Sequence, residues 1–110
     1  ETVIALGSIP VTPYGTPSTY EVPDNIAPYL GEHDAMLLQN HGALTVGADV
    51  ITAYYRMETL ELWAKIELNA RLLGGEKEIS EKNIGRLLEL RNSAKVTGRH
   101  PGYRHYRKNK

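Results

Sequence analysis

Two short apolar runs with a tight turn between them constrain the fold of this chain more than any other feature. Residues 35–39 and 43–46 each have the length of a strand, and the stretch "NHG" around His41 separates them. So short a gap predicts an antiparallel hairpin. An isolated hairpin is only marginally stable, so we expect these strands to belong to a larger sheet.

A long helix is expected directly after the hairpin. Asp49 is a good N-cap, residues 74–75 are a glycine pair that would end the helix, and apolar residues recur between them at helical spacing. They form two stripes, which predicts a helix packed on a sheet on one side and covered on much of the other side. We therefore expect Leu62 and Leu68 to be buried.

The other elements are shorter. Residues 2–6 suit either a helix end or a strand, residues 9–12 suggest a short strand, and the proline-rich residues 13–19 suggest a loop. Ser80 is expected to cap a second helix whose apolar stripe ends at Arg91.

Composition narrows the classes of function. With 110 residues, 41% of them hydrophobic, the chain has room for one domain. The net charge of zero argues against nucleic acid or a membrane as the partner of the whole domain. The absence of cysteine excludes thiolate metal sites and is compatible with a cytoplasmic location. Because the chain starts in an apolar segment without Met, we expect the domain to extend upstream of Glu1.

His41 is the main candidate for a metal ligand. A neutral imidazole on a rigid turn can bind zinc through one ring nitrogen. The alternative is a turn histidine that only bonds to backbone, and the residues alone leave both open. Catalytic zinc needs about three protein ligands, and His33, His100 and His105 do not have the spacing of a metal motif with His41.

The C-terminal tail, residues 99–110, is treated as a segment separate from residues 1–98. It contains five Arg or Lys residues and no acid. Such a run is usually a solvated terminus, and Tyr103 and Tyr106 are its candidates for a functional contact.

Four stretches taken together resemble the class II aldolase/adducin family. They are "IPVTPYGTPST", "LLQNHGALTVG", "YRMETLELWAKI" and "ARLLGG", in this order, and the resemblance runs from about Ile4 to about Arg91. It places the chain in the C-terminal half of the family's domain. Within the family, the likeness is to the members that cleave L-fuculose 1-phosphate.

The resemblance implies a three-layer α/β/α domain with a mixed, mostly antiparallel sheet, and a homotetramer with active sites at subunit boundaries. It also implies zinc or another divalent metal, with His41 as one ligand and the other ligands and the acid–base glutamate upstream of Glu1. Pro17 corresponds to an aromatic residue that contacts the aldehyde in the fuculose-phosphate enzymes, and Tyr103 or Tyr106 corresponds to a tail tyrosine that assists catalysis in some members.

The implied activity is reversible aldol cleavage of a sugar phosphate to dihydroxyacetone phosphate and an aldehyde. The 110 residues alone are expected to be inactive. Two alternatives remain open: a pentulose-phosphate 4-epimerase with the same fold, and a non-catalytic, adducin-like interaction module.

Overall fold

A computed structural model describes residues 2–101, which form a small mixed sheet with helices packed against it. The helices and strands follow the chain in the order α1 (Thr2–Ala5), β1 (Val11–Thr12), α2 (Glu21–Ile26), a 3-10 helix (Ala27–Tyr29), β2 (Ala35–Leu38), β3 (Gly42–Thr45), α3 (Val50–Leu72) and α4 (Glu81–Ser93). The strand order is β1-β2-β3, so β2 is central. The structure is therefore α/β, as expected.

The hairpin predicted around "NHG" is confirmed. Strands β2 and β3 are antiparallel, with Ala35 opposite Thr45 and Leu38 opposite Gly42. The amide of His41 donates to the Leu38 carbonyl at 2.9 Å, which closes a turn, and Asn40 at its third position has φ 64°. Asn tolerates this left-handed conformation better than most residues, which explains its place in the turn.

The segment before the hairpin contributes a helix and a parallel strand. Residues 2–5 are helical, which resolves the choice that the sequence left open. Strand β1 pairs in parallel with β2, with Val11 opposite Leu37, and the Leu37 amide donates to the Pro10 carbonyl at 2.8 Å. The proline loop that follows β1 therefore starts at the same end of the sheet as the turn that follows β2.

Helix α3 begins and ends where its capping residues predict. The Asp49 carboxylate accepts a hydrogen bond from the Thr52 amide at 2.7 Å. At the other end Gly74 has φ 113°, and the Gly75 amide bonds back to the Ala70 carbonyl at 2.9 Å. This is the Schellman arrangement, in which glycine takes a backbone conformation that side chains disfavour.

The core is small and lies between α1, β2 and α3. Leu6, Ala35 and Leu60 are almost completely buried and pack together. Leu62 and Leu68, which we expected to be buried, are 52% and 59% exposed. Helical spacing indicates which side chains share a face of α3, but burial depends on what lies opposite that face, and within residues 2–101 only part of it is covered.

A buried ion network around Asp34 joins distant parts of the chain. Asp34 is 4% exposed, and its carboxylate lies 3.1 Å from an Arg56 guanidinium nitrogen. The same carboxylate accepts a hydrogen bond from the Arg99 amide at 2.7 Å, and a guanidinium nitrogen of Arg99 lies 3.5 Å from the carboxylate. The beginning of the predicted tail is thus bonded to the residue that precedes β2, while residues 102–110 lie outside the described part of the chain.

Arg91 is buried for a reason that helical spacing does not reveal. Its guanidinium donates to the carbonyls of Ile4 and Ala5, which are at the C-terminal end of α1, and to the Gly98 carbonyl at 3.1 Å. The last carbonyls of a helix have no partner within it, so Arg91 supplies the missing donors. Burial, and secondarily the charge of Arg56, lowers the pKa of Arg91 from its ordinary value. Arg91 therefore belongs to a polar contact and not to an apolar stripe.

Among residues 2–101, no helix combines the length and apolar character that crossing a bilayer requires.

Candidate functional site

His41 sits at the end of the β2–β3 turn with its ring bonded to the proline loop. Nε2 lies 2.7 Å from the Gly15 carbonyl oxygen. A carbonyl oxygen can only accept, so Nε2 must carry the proton of this bond. In the neutral ring Nδ1 then keeps its lone pair, which is the form of histidine that can bind a metal through Nδ1.

Tyr14 covers one face of the His41 ring. The ring centroids are 5.3 Å apart and the planes differ by 24°, so the rings are stacked. The backbone of Tyr14 is held on both sides: its amide donates to the Gln39 side-chain oxygen at 3.1 Å, and its carbonyl accepts from the Asn25 amide group at 3.0 Å. The loop and the turn are therefore joined by three contacts around one imidazole.

Pro17 occupies a tight turn farther along the same loop. The Thr19 amide donates to the Thr16 carbonyl at 3.3 Å, with Pro17 at the second position and Ser18 at the third, where φ is 64°. Proline suits the second position of such a turn, whereas a residue with a side chain is strained at the third. The described contacts of the His41 ring are with Tyr14 and Gly15, so Pro17 belongs to the same loop but not to this contact.

Glu21 fixes the middle of the loop. Its carboxylate accepts a hydrogen bond from the Thr16 amide at 2.7 Å, and this bond holds the pKa of Glu21 below its ordinary value. The ionised form therefore stabilises the loop, and this contribution is lost as the pH falls through the lowered pKa.

We expect the Thr16 amide to report this titration. Its chemical shift should move with a midpoint below the usual glutamate value of about 4.3, and the shift should be absent in Glu21→Gln. Two-dimensional NMR of the protein across acidic pH measures it. A midpoint at or above the usual value would show that the carboxylate does not hold the loop in solution.

Gly15 allows the loop to approach α2 closely. A Cβ at this position would lie 2.8 Å from the Val22 amide nitrogen and 2.9 Å from the Glu21 carbonyl carbon, both backbone atoms. Backbone cannot swing away as a side chain can. Gly15→Ala is therefore expected to lower the free energy of unfolding by about 1–3 kcal/mol.

Denaturant unfolding measures the effect of Gly15→Ala. Gly31→Ala is the matched control, because a Cβ there meets no atom within 4 Å. If Gly15→Ala and Gly31→Ala lowered the free energy of unfolding equally, the close packing of Gly15 would be contradicted.

The described residues provide one position of a metal site. Within residues 2–101, no group of three His, Asp or Glu side chains lies together in a way that could hold a metal ion. His41 itself fits a ligand, since it is exposed, held on a turn, and bonded through one nitrogen to a backbone carbonyl. A complete site would need further ligands from beyond the described residues.

The other candidate residues lie elsewhere or beyond the described part. His33 is buried, with Nδ1 3.2 Å from the Tyr29 carbonyl, and His100 Nε2 is 2.7 Å from the Val3 carbonyl. Tyr103 and Tyr106 lie outside the described residues. Sequence reasoning missed Tyr14, Gln39 and Asn25, because their bonds join positions 11 and 25 residues apart that no local motif relates.

Comparison with known proteins gives one family. The model described as "Class II Aldolase and Adducin N-terminal domain" matches residues 1–68, a range that contains the loop, the turn and most of α3. The 3-oxo-tetronate 4-phosphate decarboxylase of Escherichia coli K12 is 30% identical over 89 residues, covering 81% of this chain and 40% of that protein. The decarboxylase of the same name from Pectobacterium atrosepticum is 34% identical over 64 residues, covering 58% of this chain and 29% of that protein.

The chain thus spans at most 40% of the length of these curated relatives. No solved structure matches it. The relatives bear the name of a decarboxylase, whereas the resemblance seen in the sequence was to enzymes that cleave L-fuculose 1-phosphate.

Proposed function

This chain belongs to the class II aldolase and adducin family, and on that basis we propose that it forms part of a metal-dependent lyase that breaks a carbon–carbon bond in a phosphorylated sugar or sugar acid. The observation that carries the proposal is the environment of His41. Its imidazole is exposed at a turn inside the matched segment, and its Nε2–H is bonded to a backbone carbonyl. This bond leaves Nδ1 of the neutral ring with a free lone pair, which a metal ligand requires.

Zinc, or another divalent metal, is the proposed cofactor. When bound, it supplies a Lewis acid that stabilises negative charge on a substrate oxygen. His41 would hold it as a neutral ligand, which leaves the positive charge of the metal undiminished. The Gly15 carbonyl and the Tyr14 ring would keep the imidazole oriented.

We propose a 3-oxo sugar acid phosphate as the substrate, in line with the name of the relatives. In such an acid the carbon between the carboxylate and the ketone carries both the bond that breaks and the charge that forms. When carbon dioxide leaves, the electron pair remains on that carbon and delocalises onto the ketone oxygen. A proton then adds to the carbon, and the product is a ketose phosphate.

Aldol cleavage of L-fuculose 1-phosphate is the second candidate, because it leaves an electron pair next to a ketone in the same way. The quoted motifs support it. Pro17 argues for the decarboxylase, since carbon dioxide needs no aromatic contact of the kind that an aldehyde receives. Proline also suits the turn that residues 16–19 form.

The finer features of assembly are part of the proposal. We propose that the intact domain has three α/β/α layers and forms a cytoplasmic homotetramer with sites at subunit boundaries. Tyr103 and Tyr106 are proposed as tail residues that assist the reaction. The exposed apolar side chains of α3, including Leu62 and Leu68, support an assembly in which more of this helix is covered.

The test is a substrate comparison with the full-length protein. Metal-loaded protein is incubated with 3-oxo-tetronate 4-phosphate or with L-fuculose 1-phosphate, and carbon dioxide and dihydroxyacetone phosphate are measured. We expect chelator-sensitive release of carbon dioxide from 3-oxo-tetronate 4-phosphate and little cleavage of L-fuculose 1-phosphate. Cleavage of only the fuculose ester would favour the aldolase.

The remaining alternatives give different outcomes. Interconversion of pentulose 5-phosphate epimers without cleavage products would indicate the epimerase. Zinc-free protein with no turnover of any of these substrates would contradict the proposal and favour the adducin-like module.

A further inference from the structure

The contacts around His41 do more than place it at a turn. Its ring has three ways to vary: the identity of the protonated nitrogen, the rotation about the bond to the ring, and the position of the turn relative to the proline loop. The Gly15 carbonyl fixes which nitrogen is protonated, and the stacked Tyr14 ring limits the rotation of the imidazole. The Gln39 bond to the Tyr14 amide holds the turn against the loop, while the Asn25 bond to the Tyr14 carbonyl holds the loop on α2.

We infer that Tyr14, Gly15 and Gln39 are positioning residues for His41, which hold its ring as the Nε2–H tautomer and present Nδ1 to the metal. This inference rests on the proposed function for the metal but assigns roles that the family membership does not supply. Tyr14 acts through its ring face, Gly15 through its carbonyl, and Gln39 through the oxygen that accepts the Tyr14 amide.

Gln39 makes the arrangement reciprocal. It lies in the same turn as His41, and its side-chain oxygen accepts a hydrogen bond from the backbone amide of Tyr14, whose ring covers His41. A displacement of the turn would therefore break the Gln39 bond and unstack the rings together. The loop and the turn are 25 residues apart in sequence, so no local backbone preference holds them in this relation.

The first experiment needs no metal. In metal-free full-length protein, at a pH where the imidazole is neutral, nitrogen–proton correlation NMR distinguishes an Nε2–H from an Nδ1–H ring. We expect His41 to be the Nε2–H tautomer in wild type and a mixture of tautomers in Tyr14→Leu and Gln39→Ala. An Nδ1–H ring in wild type would overturn the inference whether or not the protein binds zinc.

The second experiment measures zinc affinity by competition with a chelator. Loss of a residue that orients a metal ligand typically weakens affinity about 10–100-fold, so Tyr14→Leu is expected to raise the Kd for zinc by about that factor. Tyr14→Phe keeps the ring and should restore the wild-type Kd, as should Gln39→Glu, which keeps an acceptor. Tyr20→Leu is the matched control, since Tyr20 is 85% exposed and its ring has no described contact with His41.

The outcomes separate this inference from the proposed function. Wild type that binds zinc through His41, with Tyr14→Leu and Gln39→Ala retaining the same affinity and tautomer, would overturn the positioning role alone. A Tyr14→Phe variant as weak as Tyr14→Leu would also overturn it, because the hydroxyl would then matter instead of the ring face. Circular dichroism of each variant shows whether it is folded. If Tyr14→Leu does not fold, the comparison of Gln39→Ala with Gln39→Glu tests the inference instead.

Discussion

Replacing His41 by alanine in the full-length protein is expected to abolish high-affinity zinc binding and to reduce turnover to background. Loss of a residue that merely orients a ligand weakens metal affinity about 10–100-fold, so loss of the ligand itself should cost at least about 100-fold. Stability should change much less, because His41 is exposed and leaves no cavity behind. Metal content after dialysis and the rate of carbon dioxide release measure the two effects.

His33→Asn is the matched control for His41→Ala. His33 is buried, and its Nδ1 lies 3.2 Å from the Tyr29 carbonyl, a bond that the asparagine amide can replace. This variant should keep its zinc. A His41→Ala protein that retained wild-type zinc content would refute the assignment of His41 as a ligand.

The second large effect is expected at Asp34. The side chain is 6% exposed and faces the guanidinium groups of Arg56 and Arg99. The Arg56 guanidinium also donates to the Val46 carbonyl and is only 14% exposed, so Asp34→Ala would leave its charge largely buried and without a carboxylate partner. Removing one partner of a buried ion pair typically costs about 3–5 kcal/mol, and we expect the free energy of unfolding to fall by an amount in this range.

Glu61→Ala is the control for charge removal at the surface. Glu61 and Lys65 form a helical pair whose side chains are 65% and 67% exposed, and such pairs contribute about 0–1 kcal/mol. Denaturant titration of both variants makes the comparison. If the two variants lost the same stability, the Asp34 network would be no more than a surface ion pair.

Sequence reasoning predicted the elements that depend on neighbouring residues. The hairpin around His41, the N-cap at Asp49, the glycine stop after Leu72 and the cap at Ser80 all appear where they were expected. Each of them is decided within a few residues by turn chemistry or by the unpaired amides and carbonyls of a helix end.

The features that sequence reasoning missed depend on partners far away in the chain. Nothing near His41 in the sequence indicates that the Gly15 carbonyl would accept its Nε2–H, since 26 residues separate them. Arg91 fits the spacing of an apolar stripe, and its partners Ile4 and Ala5 are 87 and 86 residues away. Local pattern thus predicts which groups need partners, but the packing of the whole chain decides where they find them.

The bonds from Arg91 to α1 also have a consequence for the order in which the chain can fold during synthesis. Ribosomes add roughly 5–20 residues per second, so the 87-residue separation means that α1 waits roughly 4–17 s before its guanidinium partner has been made. During that time the carbonyls of Ile4 and Ala5 bond to water, and Leu6 lacks the Leu60 contact until α3 has emerged. Helix α1 therefore reaches its final packing only after α4 has been made, although it precedes the sheet in the chain.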